Sequence, residues 1–281
     1  MRKIGLVTSE KKDAGLRKAA QIAGELLALG AEVFCEEEAK SLAALGVRPF
    51  SDEVLSEECE GIVTVGGDGT FLRGAHIAAP RELPIVGVNL GRLGYLTELE
   101  PAESGLLRAL LAEEFTTEER MMLRADVLRA DKVAGSFLGL NEAVIQNGMI
   151  ARILDFVISC NTRQVVSYSA DGVLVSTPTG STAYSLSAGG PVIDPALCCF
   201  LLLPICPHSL RARPVIFSDR SELSIEIGTL EGKDAYLSVD GRNTFPLMGG
   251  DRVRVRRAEL VTKMIKFNNR SFFEILNQKL S

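Results

Sequence analysis

The stretch Ile62-Val63-Thr64-Val65-Gly66-Gly67-Asp68-Gly69-Thr70-Phe71-Leu72-Arg73 reads as a buried strand that feeds a glycine loop and opens a helix. Three glycines within four residues let the backbone come close to a ligand, and the free N–H groups at the following helix start favour phosphate. The loop is not a Walker A sequence, because the G-x-x-x-x-G-K-[ST] spacing and its lysine are missing. Nor is it G-x-G-x-x-G, since Leu72 stands where the third glycine would be. Asp68 is the unusual letter. A carboxylate repels phosphate unless it meets a hydroxyl, or a metal ion that travels with the phosphate. As structure alone, the segment is a tight strand-to-helix turn with an aspartate near the helix start, and both readings stand at this point.

On either side of the loop, strand and helix signals alternate. Lys3–Thr8 is a short apolar strand, and Leu16, Ala20, Ala23, Leu27 and Leu29 give a helical face that stops at Gly30. Glu32–Cys35 and Ile85–Val88 read as further strands, Ala102–Glu114 as a helix, and Pro80 ends the helix that the glycine loop opens. This spacing argues for an α/β fold with a parallel sheet and helices on its faces. Past about Arg120 the pattern turns mostly β: Leu123–Leu128, Ile153–Cys160, Gly172–Thr177, Leu223–Ile227 and Ala235–Val239 are short runs separated by turn residues. The apolar run from Pro195 to Pro207 is too short to cross a bilayer and reads as a buried strand. Its Leu197–Ile205 part suits either a core strand or an interface edge.

With 281 residues the chain is long enough for about two domains. Residues 1–119 are expected to form the α/β domain with the glycine loop and 120–250 a mostly-β domain. Residues 251–281, basic at Arg252, Arg254, Arg256 and Arg257 and helical from Ser271, are expected to pack back on the first. A hydrophobic content of 46% and a charged content of 24% exclude a largely disordered chain. A net charge of −5 argues against a protein that coats nucleic acid or an anionic membrane. The amino terminus has too short an apolar run for a signal peptide, and six cysteines without a C-x-x-C pair indicate neither zinc nor a disulfide framework. A cytoplasmic protein with reduced thiols is expected. The acid-rich stretch Glu32–Glu60 and the basic tail read most simply as solvated faces.

Gly66-Gly67-Asp68-Gly69-Thr70 resembles the signature shared by NAD kinases, diacylglycerol kinases and sphingosine kinases, with a looser likeness to phosphofructokinases. Four more segments resemble NAD kinases in particular: Gly87-Val88-Asn89-Leu90-Gly91-Arg92-Leu93-Gly94-Tyr95-Leu96-Thr97; Asn141-Glu142; Asp171-Gly172 followed by Ser176 through Pro191; and Pro207-His208-Ser209-Leu210 with Arg213-Pro214. They lie in order between about residues 60 and 215, with a weaker echo at Val239-Asp240-Gly241.

The resemblance implies transfer of the γ-phosphoryl of ATP, or a phosphoryl of inorganic polyphosphate, to the 2′-hydroxyl of the adenosine ribose of NAD, giving NADP. Asp68 would be the general base, and Gly66, Gly67, Gly69 and Thr70 would hold the donor phosphates. Magnesium would arrive with the nucleotide, with no private protein site. It also implies that Asn141 and Glu142 contact the dinucleotide and that Asp171 accepts from the nicotinamide portion. Thr182, Ala183, Tyr184, Ser185, Leu186 and Ser187 would meet adenine, ribose and diphosphate. Arg73 and Arg152 could supply charge to phosphates, or be ordinary surface arginines. Without the other motifs Asn141-Glu142 would pass for a β-turn, Asp171-Gly172 for a hairpin turn, and Ser181-Thr182 for a helix cap.

Tyr95-Leu96 stands where relatives often carry Phe and another large residue, and Ser169 where an arginine is frequent. For His208 the expectation is a structural hydrogen bond. A homodimer or homotetramer is expected from the family's habit of completing the nicotinamide pocket with a neighbouring chain. Two other readings remain open here: a non-catalytic dinucleotide sensor, which would have no use for the carboxylate kept inside an intact glycine loop, and a lipid kinase, which would share that loop but give no reason for the Thr182–Ser187 segment.

Overall fold

The computed structural model describes residues 1–92, 94–148, 153–267 and 271–280. The chain divides into two compact units, residues 1–120 with 260–281, and residues 121–259.

In the first unit, strands β1 (Lys3–Thr8), β2 (Glu32–Glu36), β3 (Arg48–Phe50), β4 (Gly61–Gly66) and β5 (Pro84–Asn89) pair in parallel in the order β5-β4-β1-β2-β3. The chain winds outward from β1 through β2 to β3, then returns to β1's other side for β4 and β5. The order therefore reverses between β1 and β4, and the crevice beyond their carboxyl ends, at Thr8 and Gly66, is where open α/β sheets bind ligands. Helices α1 (Arg17–Ala28), α2 (Asp52–Glu58), α3 (Asp68–Ala78) and α4 (Arg108–Ala112) belong to this unit.

Helix α1 is turned from its expected face, because its buried residues are Ala19, Ile22, Ala23 and Leu26, while Leu29 is exposed. The expected phase started at Leu16, which has a left-handed backbone (φ 52°) and lies outside the helix. The run expected to be helical from Ala102 to Glu114 is a 3-10 turn over Pro101–Leu107 followed by the short α4. Helix α3 packs very close to the sheet. A Cβ at Gly74 would collide with the Thr64 and Ile85 side chains, and Phe71 is fully buried.

In the second unit a six-stranded antiparallel sheet runs β13-β12-β11-β8-β15-β16. Its strands are β8 (Glu142–Asn147), β11 (Gly172–Ser176), β12 (Cys199–Ile205), β13 (Val215–Ser218), β15 (Ala235–Val239) and β16 (Arg242–Leu247). The apolar run from Pro195 resolves into β12, a buried strand between β11 and β13, so it is core and not an edge. Leu197 lies before the strand and is exposed. A second layer pairs β9 (Leu154–Cys160) with β10 (Arg163–Ala170) and β14 (Leu223–Ile227), and β14 with the first half of β17 (Arg252–Lys266). Strands β6 (Thr116–Arg129) and β7 (Lys132–Gly139) form a hairpin. One cluster of buried side chains joins the layers, with Phe156, Phe200, Ile225 and Leu237 inside it. A short helix α5 (Tyr184–Ser187) follows β11.

The chain enters this unit inside β6 and leaves it inside β17. The tail was expected to turn back from residue 251; instead β17 first pairs with β14 through Arg252–Val255, and only further on, at Lys263 and Met264, joins β5, before helix α6 (Phe272–Leu280). One long strand can pair in turn with β14 and with β5 because its pairing groups continue along the backbone. The basic residues are not a bare solvated face: Arg254 and Arg256 both pair with buried Asp126, at 3.1 and 3.6 Å, while Arg252 and Arg257 pair with Asp131 and Asp219. The acidic stretch has one exception to its solvated reading as well, the buried Glu36.

Candidate active site

The glycine loop sits at the switch point of the first sheet. Gly67 caps α3, and its carbonyl accepts from the Thr70 and Phe71 amides at 2.9 and 3.0 Å. Gly66 must be glycine, because a Cβ there would collide with the Thr70 side chain. Gly67 and Gly69 are different: a Cβ at either would meet open space, and neither has a positive φ. Neither packing nor backbone conformation requires glycine at these two positions. Bare backbone at both leaves room for a ligand to lie against the loop.

Asp68 is the first residue of α3 and is half-buried. Its carboxylate accepts from two backbone N–H groups, Tyr95 at 2.9 Å and Leu96 at 3.1 Å. Each carboxylate oxygen keeps acceptor capacity after one such bond, so Asp68 is fixed in direction while still able to receive a hydroxyl proton. The segment that clamps it comes up close. A Cβ at Gly94 would strike Asp68 Oδ1 and Thr97 Oγ1. Asn89, at the end of β5, pins the loop's start by donating to the Gly91 and Arg92 carbonyls and to Glu100, at 3.2–3.3 Å.

Arg73 is turned inward on the same unit. Its guanidinium donates to the Thr8 carbonyl and, at 2.9 Å, to Glu36, which also accepts from the Thr8 amide at 3.1 Å. Burial raises the Glu36 carboxyl to about 7 against the opposing pull of Arg73. Glu36 escaped the sequence reading because nothing separates it from its acidic neighbours Glu37 and Glu38.

In the second unit, Asn141 and Glu142 form the entry to β8. Asp240 holds them: its carboxylate accepts from the Leu140, Asn141 and Glu142 amides at 2.8, 2.8 and 3.1 Å. The only sequence signal for this role was the Val239-Asp240-Gly241 echo. From the other side, Thr177 donates through its amide to the Asn141 carbonyl at 2.8 Å and through its hydroxyl to the Leu140 carbonyl at 2.6 Å. Gly180 packs so near that a Cβ would strike the Asn141 carbonyl. The backbone is therefore fully engaged, while Asn141 Oδ1 and Glu142 Oε2 are buried without a hydrogen-bond partner. Burial, then the Asp240 carboxylate, pushes the Glu142 carboxyl up to about 8. Each buried polar group left open in this way costs the fold about 1–3 kcal/mol.

The Thr179–Thr182 turn leads from β11 to α5. Thr182 donates to the Thr179 carbonyl at 3.3 Å and Ser181 exchanges hydrogen bonds with the Ile193 backbone, so neither serves as the helix cap that sequence allowed. Tyr184 and Ser187 are exposed, Ala183 and Leu186 half-buried, and Ser185 Oγ is buried without a partner. Asp171 does not sit in a hairpin: β10 and β11 on either side of it belong to different sheets, and it is the residue at the crossing. His208 is exposed, and its backbone N–H, not its ring, bonds to Ser169 at 2.9 Å. Arg152 lies outside the described residues. Among those residues, no group of three or more His, Cys, Asp or Glu is placed to hold a metal ion, and no helix is long and apolar enough to cross a membrane.

Set beside solved structures, the chain has the fold of a dinucleotide kinase. Yeast NADH kinase complexed with NADH aligns over 100% of this chain and 87% of its own, with a TM-score of 0.91 at 22% identity. An NAD kinase from Archaeoglobus fulgidus in complex with ATP aligns over 99% and 98%, with a TM-score of 0.73 at 27% identity. Two family models share out the sequence, the ATP-NAD kinase N-terminal domain over residues 4–115 and the C-terminal domain over 140–267. The NAD kinase of Syntrophotalea carbinolica is 40% identical over 281 residues, covering 100% of this chain and 98% of the relative, and that of Carboxydothermus hydrogenoformans 42% over 226, or 80% of each. The chain belongs to the NAD kinase family, and it is an enzyme of the kinase class.

Proposed function

We propose that the chain transfers the γ-phosphoryl group of ATP to the 2′-hydroxyl of the adenosine ribose of NAD, giving NADP, with Asp68 as general base. The observation that carries this is the fixed Asp68 carboxylate, aimed by two amides, inside a loop with two glycines that the fold itself does not need. A hydroxyl nucleophile needs an acceptor to orient it and take its proton, and bare amides at a helix start suit the donor phosphates. Inorganic polyphosphate would present the same terminal phosphoryl to that loop. Magnesium would come only as a guest of the nucleotide and would neutralise its phosphate charge, with Asp68 the carboxylate that the loop itself offers.

On the second unit, the open Asn141 and Glu142 atoms support dinucleotide contact, with Asp171 toward the nicotinamide portion and Thr182 through Ser187 toward adenine, ribose and diphosphate. Arg73 and Arg152 are assigned to phosphate charge. For Arg73 this requires loosening its hold on Glu36.

Incubation with Mg-ATP and NAD should yield NADP, and 2′-deoxy-NAD should bind without accepting phosphate. Phosphate on the deoxy analogue would place the chemistry elsewhere and end this reading. A parallel reaction with polyphosphate sets the donor. We assign the working form as a cytoplasmic homodimer or homotetramer. Leu210, 94% exposed, and Ile216 on the edge strand β13 support an apolar contact surface on the second unit. A monomeric mass by light scattering at a concentration giving full activity would exclude it.

A further inference from the structure

The Gly94–Glu98 segment has two sets of partners. Toward the glycine loop, the amides of Tyr95 and Leu96 hold Asp68, and Thr97 Oγ1, buried and without a partner, borders the same carboxylate. Away from the loop, the returning end of the chain grips the segment. Glu98 accepts from the Phe267 amide at 3.0 Å and pairs with Lys266. The Tyr95 ring faces Phe272 of α6, with centroids 6.2 Å apart, and Lys279 Nζ lies 3.9 Å from the centre of that ring. Phe272 is itself set edge-on against Phe273, at 5.5 Å.

We propose that α6 is a positioning element for the acceptor carboxylate, in which Phe272 and Lys279 seat the Tyr95 ring and thereby set the two amides that aim Asp68. The inference rests on Asp68 being the base. Two backbone N–H groups can orient a carboxylate only as well as they are held themselves, and Gly94 contributes no side chain to hold them. The anchoring comes from outside the segment: an ion pair and amide bond at Glu98, and an aromatic and cationic cover at Tyr95. A cation over an aromatic face suits this, because it restrains the ring and leaves the Tyr95 amide free to donate to Asp68. A carboxylate aimed before substrate arrives loses nothing to reorganisation in the transition state. Lys279 and Phe272 touch no reacting atom and act through Tyr95.

The test uses the full chain and three variants, Lys279→Met, Lys279→Arg and Phe272→Ala. Lys279→Met keeps the aliphatic stem and removes the charge, and should lower kcat by about threefold to tenfold, the span of a partly exposed cation–π contact, with the NAD KM within about twofold. Lys279→Arg keeps a cation over the ring and should restore the rate. Amide hydrogen exchange at Tyr95 and Leu96 should quicken in Lys279→Met and Phe272→Ala and stay slow in Lys279→Arg. The exchange readout does not depend on turnover, so it judges the brace even if the assignment of Asp68 fails. Unchanged exchange in Lys279→Met and Phe272→Ala would overturn the proposal. So would a rate loss that Lys279→Arg does not repair, or quickened exchange with kcat intact in an enzyme whose kcat Asp68→Asn does cut.

Discussion

The Asp68 loop and the Asn141–Glu142 entry to β8 both join a carboxylate to backbone amides, but with opposite assignments. In the first unit the carboxylate held by amides is itself the group proposed to meet the substrate. In the second, Asp240 uses its carboxylate on three amides at the entry to β8, and the side chains there, Asn141 and Glu142, are the ones with open atoms. One region is ready by geometry and costs the fold little. The other is ready by leaving polar groups buried and unpaired, a cost the rest of the fold must offset until a ligand arrives. Catalysis and recognition should therefore respond to different substitutions.

The largest effect is expected at Asp68. Asp68→Asn keeps the size and removes the proton acceptor, so kcat should fall by about 10²–10⁴ with NAD affinity nearly unchanged. Separate measurements of kcat and NAD binding, on protein with the parent's thermal unfolding, decide it. A near-normal kcat would reduce Asp68 to a turn residue and erase the contrast.

Glu142→Gln should do the reverse, improving the fold and harming recognition. The Glu142 carboxyl is raised in the folded state to about 8 from 4.5, so the folded chain binds that proton more tightly than the unfolded chain. Its contribution to stability is fully present below about pH 4.5 and is lost as pH rises through about 8. Glutamine removes the ionisation, and at pH 8 the variant should gain on the order of 2–4 kcal/mol, shrinking toward zero near pH 4.5. Denaturant unfolding at both pH values, beside NAD titration, reads the two effects. A gain that does not vary with pH would mean that Glu142 is not ionised at a cost.

Asp240→Asn sharpens the comparison from below. An amide nitrogen in place of either carboxylate oxygen would face a backbone N–H, donor against donor. Stability should drop by about 1–3 kcal/mol and NAD binding should weaken, with kcat at saturating NAD almost kept. A kcat loss matching that of Asp68→Asn would contradict the division of labour.

These two regions were unequally legible in sequence. The glycine loop spells its function locally: strand, bare backbone, carboxylate and helix start are consecutive residues, and the strands on either side read as a parallel sheet without ambiguity. The switch point itself needed the strand order, which no local pattern carries. Asn141-Glu142 could be singled out only through likeness to a family, because what makes it a site is Asp240, about a hundred residues away. Glu36 and Lys279 were invisible for the same reason, their meaning residing in partners on other strands and helices. The α1 face was misjudged by a local effect instead, a left-handed Leu16 that shifts the phase of the apolar repeat.

Strand β17 has a consequence for how the enzyme is made. Its residues Lys263 and Met264 close the free side of β5, yet they leave the ribosome long after β5 does. With roughly 170 residues still to be added at about 5–20 per second, the edge stays bare for about 9–34 s during synthesis. Helix α6 comes later still. A nascent chain thus carries its glycine loop early and its Asp68 brace much later, so synthesis must pass α6 before that carboxylate is steadied for the cell's dinucleotide pool.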